Sequence, residues 1–354
     1  MLADAWLHDI SPFVLRFSES WGLRWYGTAY ALGFLLAYLI LKQLARRKLT
    51  PLPFDRCGDV ILTAILGVIV GGRLGYILLY EPSLFWSVTP TPPWWGVLEI
   101  QRGGMSSHGG MIGVILAAIY LRRGWRSDDG TRVGACPALH ILDIFALLCP
   151  IGLFLGRIAN FINGELLGRV VAFAGEPSPW WSVKFPQEVL TAHDAPRPPA
   201  VAEAFKHMVL ARQIPGETWE RTLQQMIDTV QSRSAEGRRL GAELAPFISA
   251  RHPSQLYQAV AEGIVVGACI WWIWRSPRKP GVVGAWFLIS YGVLRIATEF
   301  VRLPDAHLQV QRILGLSRGQ WLSTLMVLAG VTALAIIRRS KPPAMGGWGV
   351  GRAA

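Results

Sequence analysis

Seven stretches of 17 or more residues with few charges divide this chain: Trp25–Leu41, Val60–Tyr80, Met105–Leu121, Leu139–Gly156, Ser254–Trp274, Val282–Val301 and Trp321–Ile337. A hydrocarbon core about 30 Å thick takes roughly 20 residues of helix to cross, so each stretch reads as a membrane span. With 52% hydrophobic and 16% charged side chains, the chain also lies outside the balance of a soluble domain. The expected fold class is all-α, a polytopic membrane protein with seven transmembrane helices and a small external helical subdomain. Glycine and proline are interleaved with Leu, Ile, Val and Trp, as bilayer helices tolerate, which excludes general disorder. The first run is too long for a signal peptide and should remain as an anchor.

Charge orients the spans. Basic residues gather after the first run (Lys42, Arg46, Arg47, Lys48, Arg56), between the third and fourth (Arg122, Arg123, Arg126, Arg132), between the fifth and sixth (Arg275, Arg278, Lys279) and in the tail (Arg338, Arg339, Lys341, Arg352). Set against the acids among them, these four alternate segments account for the whole net charge of +12. Cytoplasmic loops carry such an excess, so the amino terminus is expected outside and the carboxyl terminus in the cytoplasm. A nucleic-acid partner is unnecessary. Cys57, Cys136, Cys149 and Cys269 form no CxxC pair, which excludes a disulfide scaffold and a structural zinc site.

The long connection from Arg157 to Ala250 holds ten basic and ten acidic residues and is expected outside. Helical spacing recurs at Val201, Phe205, Met208 and Val209, and again at Trp219, Leu223, Met226, Ile227 and Val230. The expected organisation is helices 1–4 within residues 1–169, an external insertion over 170–250, and helices 5–7 with a cytoplasmic tail over 251–354.

Polar groups inside a bilayer cost roughly 2.5–3.5 kcal/mol each at mid-membrane unless partnered, so they mark function. Tyr291, Arg295, Glu299 and Arg302 follow one another at steps of four, four and three, which places them on one helix face. Alternate spans enter from opposite sides. On that parity Tyr26, Arg73, His108, Arg157, Arg251, Gln255, Arg295 and Glu299 all fall in the outer half, as a single cavity facing the exterior would require. Several arginines around a buried cavity call for an anion, since guanidinium forks match phosphate oxygens bidentately. In the outer leaflet the fitting ligand is a phospholipid head group.

Within Gly156–Arg169, Arg157, Asn160, Asn163, Glu165 and Arg169 crowd around the turn signal Asn163-Gly164. The helix is expected to end there and free backbone N–H groups for a phosphate. His108 stands in Ser106-Ser107-His108-Gly109-Gly110-Met111, a glycine-rich helix entrance, and is the best general base available. GxSxG, HExxH and P-loop motifs are absent, which removes the usual support for hydrolase and nucleotide chemistry.

In six ordered blocks the chain resembles the bacterial prolipoprotein diacylglyceryl transferases: Trp25-Tyr26-Gly27, Gly72-Arg73-Leu74-Gly75-Tyr76, Gly104-Met105-Ser106 with His108-Gly109-Gly110, Gly156–Arg169, Arg251–Tyr257, and Tyr291–Arg302 followed by Pro304-Asp305. The resemblance implies transfer of the diacylglyceryl group of phosphatidylglycerol to the lipobox cysteine of a preprolipoprotein signal peptide, with release of glycerol phosphate. The nucleophile then belongs to the substrate. The functional positions so implied are Tyr26, His108, Arg157, Asn160, Glu165, Gly168, Tyr291, Arg295 and Glu299. Arg157 and Arg295 would hold the phosphate, His108 would help deprotonate the thiol, Glu299 would orient Arg295, and Asn160 and Tyr26 would bind the head group. Arg73, Arg251 and Arg302 would add further contacts to the lipid. Neither a metal nor an organic cofactor is expected.

Two features depart from the family pattern. Met111 stands where Leu is common, and the region from Val170 to Ala250 is longer than usual. A membrane transporter or channel for an organic anion could use the same arginines, but it would need polar residues in the cytoplasmic half, where only loop charges lie.

Overall fold

A computed structural model of the chain describes residues 4–18, 22–90, 92–100, 103–303, 312–313 and 315–349. Eleven α-helices run in order through the described residues: α1 (Trp25–Arg46), α2 (Cys57–Tyr80), α3 (Ser107–Leu121), α4 (Ala138–Asn163), α5 (Pro199–Leu210), α6 (Trp219–Gln231), α7 (Ala235–Leu244), α8 (Ser254–Gln258), α9 (Val266–Trp274), α10 (Val282–Glu299) and α11 (Arg318–Arg339). Between α8 and α9 the chain continues as a π-helix, Ala259–Val265, so Ser254–Trp274 is one 21-residue span. Six helical segments are long and apolar enough to cross a bilayer. The third run of the sequence instead forms α3, 15 residues long. At 1.5 Å per residue that is about 22 Å, short of a full crossing.

The chain divides into two compact units. The first comprises Met1–Gly33, Pro150–Gly267 and Ile289–Leu328. Its extramembrane part holds a small sheet as well as helices. The strands lie in the order Trp6–Leu7, Val183–Lys184, Ala250–Arg251, Val170–Ala172. Trp6 pairs with Val183 in parallel, while Val183 and Val170 both face Arg251 in antiparallel register. Strands of two or three residues leave no alternation to detect, so the sequence reading registered only helices here. It also passed over α7, whose apolar contribution is little more than Leu240 and Leu244.

In this region Phe205, Val209, Leu223, Met226, Val230, Leu240, Leu244 and Ile248 form one buried cluster. Thr218 caps α6 by accepting from Arg221 N at 3.3 Å, and Ser234 caps α7 by accepting from Gly237 N at 3.0 Å. A second cluster joins Phe161 at the end of α4 to Leu167, Val183 and Phe185. His8 packs into it, with ring centroids 5.4 Å from Phe161 and 5.2 Å from Phe185. It also meets Gln187 at 3.3 Å. Burial pushes the His8 imidazole down to about 4.

The second unit comprises Phe34–Cys149, Ala268–Leu288 and Ala329–Ala354. Here α2 and α3 touch backbone to backbone. A Cβ at Gly113 would meet Gly67 O at 1.8 Å, and one at Gly109 would meet Gly71 O at 2.2 Å. Small residues four apart on both helices permit this approach, the packing mode of membrane helices. The contact fixes the start of α3, where Ser106 Oγ accepts from Gly109 N at 3.3 Å and Ser106 N donates to Gly72 O at 2.8 Å. At the other end of this unit the buried Asp143 of α4 accepts from Gly281 N and Gly284 N, both at 2.7 Å. A neighbouring helix thereby supplies the cap that α10 lacks in its own sequence.

Candidate functional site

Residues of the first unit bring three helical segments to one carboxylate. Glu262, in the π-helix, is fully buried. Its Oε2 accepts from Arg157 Nε of α4 at 2.9 Å and lies 2.8 Å from Arg157 Nη2. Its Oε1 lies 3.7 Å from Arg295 Nε of α10. Both side chains keep a little accessible surface, 15% for Arg157 and 11% for Arg295. One carboxylate therefore fixes two cations from separate helices. Single-turn π-helices recur at functional sites because the wider turn resets which residues face inward.

Arg295 is gripped from its own helix as well. Its Nη1 stands 2.7 Å from Glu299 Oε2, the i,i+4 pair the spacing predicts. Glu299 is anchored in turn by Ser317 Oγ, which donates to Oε1 at 2.9 Å. Tyr291, one turn earlier on α10, interacts with Arg157 through its hydroxyl. Arg302 lies beyond the end of α10, which stops at Glu299, and is not on the helix face. It pairs instead in a β-bridge with Gly168, with its Nη1 3.8 Å from Glu299 Oε2.

The Gly156–Arg169 segment forms the adjoining wall. α4 ends at Asn163, as Asn163-Gly164 predicts, and Gly164 takes the left-handed conformation at φ +66°. The N–H groups of Gly164 and Glu165 do not become free, however. They donate to Phe161 O at 3.0 Å and Asn160 O at 3.1 Å, closing the helix end on itself. Side chains are what the turn offers. Asn160 Nδ2 donates to Glu165 Oε1 at 2.6 Å, and Asn160 also meets the hydroxyl of Tyr26 in the first turn of α1. From α8, Gln255 Nε2 donates to Glu165 O at 2.6 Å and Ser254 Oγ to Leu166 O at 3.1 Å.

After the turn the chain runs between two neighbours. Leu303 N donates to Leu167 O at 3.1 Å, Arg169 N to Val301 O at 2.9 Å and His252 N to Arg169 O at 3.0 Å. Gly168 sits in the middle, and a Cβ there would lie 2.1 Å from His252 O. Its role is close approach of backbones.

Tyr26, Arg157, Asn160, Glu165, Gly168, Arg251, Tyr291, Arg295, Glu299 and Arg302 thus all belong to the first unit, and Arg73 and His108 to the second. Pro304 and Asp305 lie outside the described residues. Two arginines have occupations the sequence did not reveal. Arg73 is buried and donates to the backbone carbonyls of Gly96, Val97, Gly103 and Gly104, tying the 96–104 segment to α2. Arg251 donates to Glu188, to Gly168 O at 3.1 Å and to His193 O at 2.6 Å. Burial pushes the Glu188 carboxyl up against the opposing pull of Arg251. His108, partly exposed, is the second residue of α3.

Sequence reasoning missed Glu262. The signal was present as a lone acid inside the fifth apolar run, seven residues after Gln255.

Known proteins resemble the chain over nearly its whole length. The family model for prolipoprotein diacylglyceryl transferase matches residues 12–336. A phosphatidylglycerol–prolipoprotein diacylglyceryl transferase of Bdellovibrio bacteriovorus is 37% identical over 97% of both chains. The enzyme of that name from Rhodospirillum rubrum is 34% identical over 97% of this chain and 96% of its own. The one from Neisseria gonorrhoeae is 35% identical over 92% and 94%. Matched from near its amino terminus to its last membrane helix, the chain belongs to the prolipoprotein diacylglyceryl transferase family.

Proposed function

We propose that this protein transfers the diacylglyceryl group of phosphatidylglycerol to the lipobox cysteine of a preprolipoprotein, the first step of lipoprotein maturation. The thiol sulfur attacks the glyceryl carbon that bears the phosphate. A C–S thioether forms, the C–O bond breaks, and glycerol phosphate leaves with the electron pair. The observation that carries this reading is the convergence of Arg157 and Arg295 on buried Glu262. Two guanidinium groups held in advance by one carboxylate stabilise charge that grows on a departing phosphate without reorganisation cost.

Glu262 and Glu299 orient the arginines, and Tyr291 supports Arg157. Asn160 and Tyr26 hydrogen-bond the head group, with Glu165 fixing the Asn160 amide. His108 accepts the thiol proton, since the thiolate is the effective nucleophile. Arg251 and Gly168 serve the lipid site through the backbone segments they hold. The catalytic machinery opens toward the exterior of the bacterial inner membrane, with the amino terminus outside and the carboxyl terminus in the cytoplasm. The 170–250 insertion is then external.

Purified protein in detergent, given labelled phosphatidylglycerol and a lipobox peptide, should yield a thioether-linked product without any membrane gradient. Active protein that moves anions across vesicles but never forms the thioether would overturn the proposal in favour of a transporter.

A further inference from the structure

A second polar element of the first unit has no place in the scheme above. Gln258, the last residue of α8, is fully buried, and neither its Oε1 nor its Nε2 has a hydrogen-bond partner among the described residues. Buried amides are almost always satisfied, because stripping both ends of water without replacement is unfavourable. Gln258 occupies a telling position. One turn before it, fully buried Gln255 donates to Glu165 O, and its own Oε1 is likewise unpartnered among the described residues. One turn after it, Glu262 holds Arg157. Spacings of three and four put Gln255, Gln258 and Glu262 on one helix face, so the amide lies between the Asn160–Glu165 wall and the arginine pair.

We propose that Gln258, assisted by Gln255 Oε1, is a specificity-determining residue that recognises the uncharged vicinal diol of the lipid head group. The arginines select a phosphodiester and cannot distinguish one alcohol substituent from another. A primary amide offers a donor and an acceptor side by side, and each hydroxyl of a diol can both donate and accept. A second unpartnered acceptor one turn away matches the second hydroxyl. A charged side chain at this point would compete with the phosphate or the arginines, whereas an amide reads hydroxyls without disturbing the charge balance. This inference rests on phosphatidylglycerol being the lipid substrate.

Two lipids with identical chains and charge, phosphatidylglycerol and phosphatidylmethanol, isolate the diol. Their binding to full-length protein in mixed micelles is measured by titration, together with the thermal unfolding midpoint. Wild type should prefer phosphatidylglycerol by at least ~10-fold, as hydroxyl-reading sites do. Gln258→Met, of similar volume, should bring that ratio close to one and leave phosphatidylmethanol affinity and the unfolding midpoint unchanged. Gln258→Asn, which keeps the amide on a shorter stem, should retain part of the preference and serves where the Met variant folds poorly. An unaltered ratio in the folded variants, or no preference in wild type, overturns the inference. Failure of wild type to form thioether product would instead overturn the proposed reaction, because the binding ratio is read without turnover.

Discussion

Arg157 Nη2 stands 2.8 Å from the Oε2 of fully buried Glu262, a carboxylate that Arg295 also approaches. Removing one partner of a buried ion pair leaves the other charge uncompensated, at a cost of about 3–5 kcal/mol. Glu262→Gln keeps the shape and discards the charge. It should cut turnover by at least ~10²-fold, in line with lost electrostatic preorganisation, and lower the unfolding midpoint in detergent. Thioether formation by the folded variant at the wild-type rate would show that this carboxylate does not set the arginines.

Gly168 lies where a Cβ would come within 2.1 Å of His252 O, while at Gly58 an added Cβ meets nothing within 4 Å. Gly168→Ala must displace the segment that carries His252, an overpacking cost of about 1–3 kcal/mol. Gly58→Ala, in α2, should be neutral or stabilising by up to ~1 kcal/mol. Unfolding midpoints and lipid affinity of the two variants provide the comparison, and equal behaviour would remove the steric account of Gly168.

His108 is placed by the contact of α2 with α3 and not by a partner that a sequence motif reveals. His108→Gln should lower turnover by about 10²-fold or more, the range for loss of a general base, and leave phosphatidylglycerol binding nearly intact. Raising the pH should partly restore the rate by supplying thiolate from solution. A variant that loses lipid binding in step with turnover would assign His108 to the lipid instead. Gly113→Ala, whose Cβ would strike Gly67 O at 1.8 Å, should abolish stable protein by separating the two helices. Wild-type yield and melting behaviour would contradict that packing.

The pH dependence of stability should carry the signature of His8, held at about 4 by burial against an ordinary value of 6.5. The folded chain binds fewer protons than the unfolded one between these values. This contribution is therefore fully present above pH 6.5 and is lost progressively as the pH falls toward 4, by about 2 kcal/mol at pH 5. His8→Phe, packed among Phe161 and Phe185, should flatten the loss. Unfolding midpoints at pH 7.5 and 5 for both proteins decide the matter, and parallel declines would rule His8 out as the source.

How far the sequence reaches depends on the range of the interaction concerned. The Arg295–Glu299 pair was legible because a helix fixes residues four apart, and the stop of α4 was legible because Asn163-Gly164 is a local turn signal. Long apolar runs determined the membrane spans in the same way, since bilayer thickness acts on each segment alone. Tertiary structure decided the rest. Arg73 and Arg157 look alike in sequence, each one arginine within an apolar helix. One faces carbonyls 23 to 31 residues onward and the other a carboxylate 105 residues onward. Burying a guanidinium demands partners, but its chemistry is satisfied equally by backbone, by acid or by ligand. Only the path of the rest of the chain chooses among them.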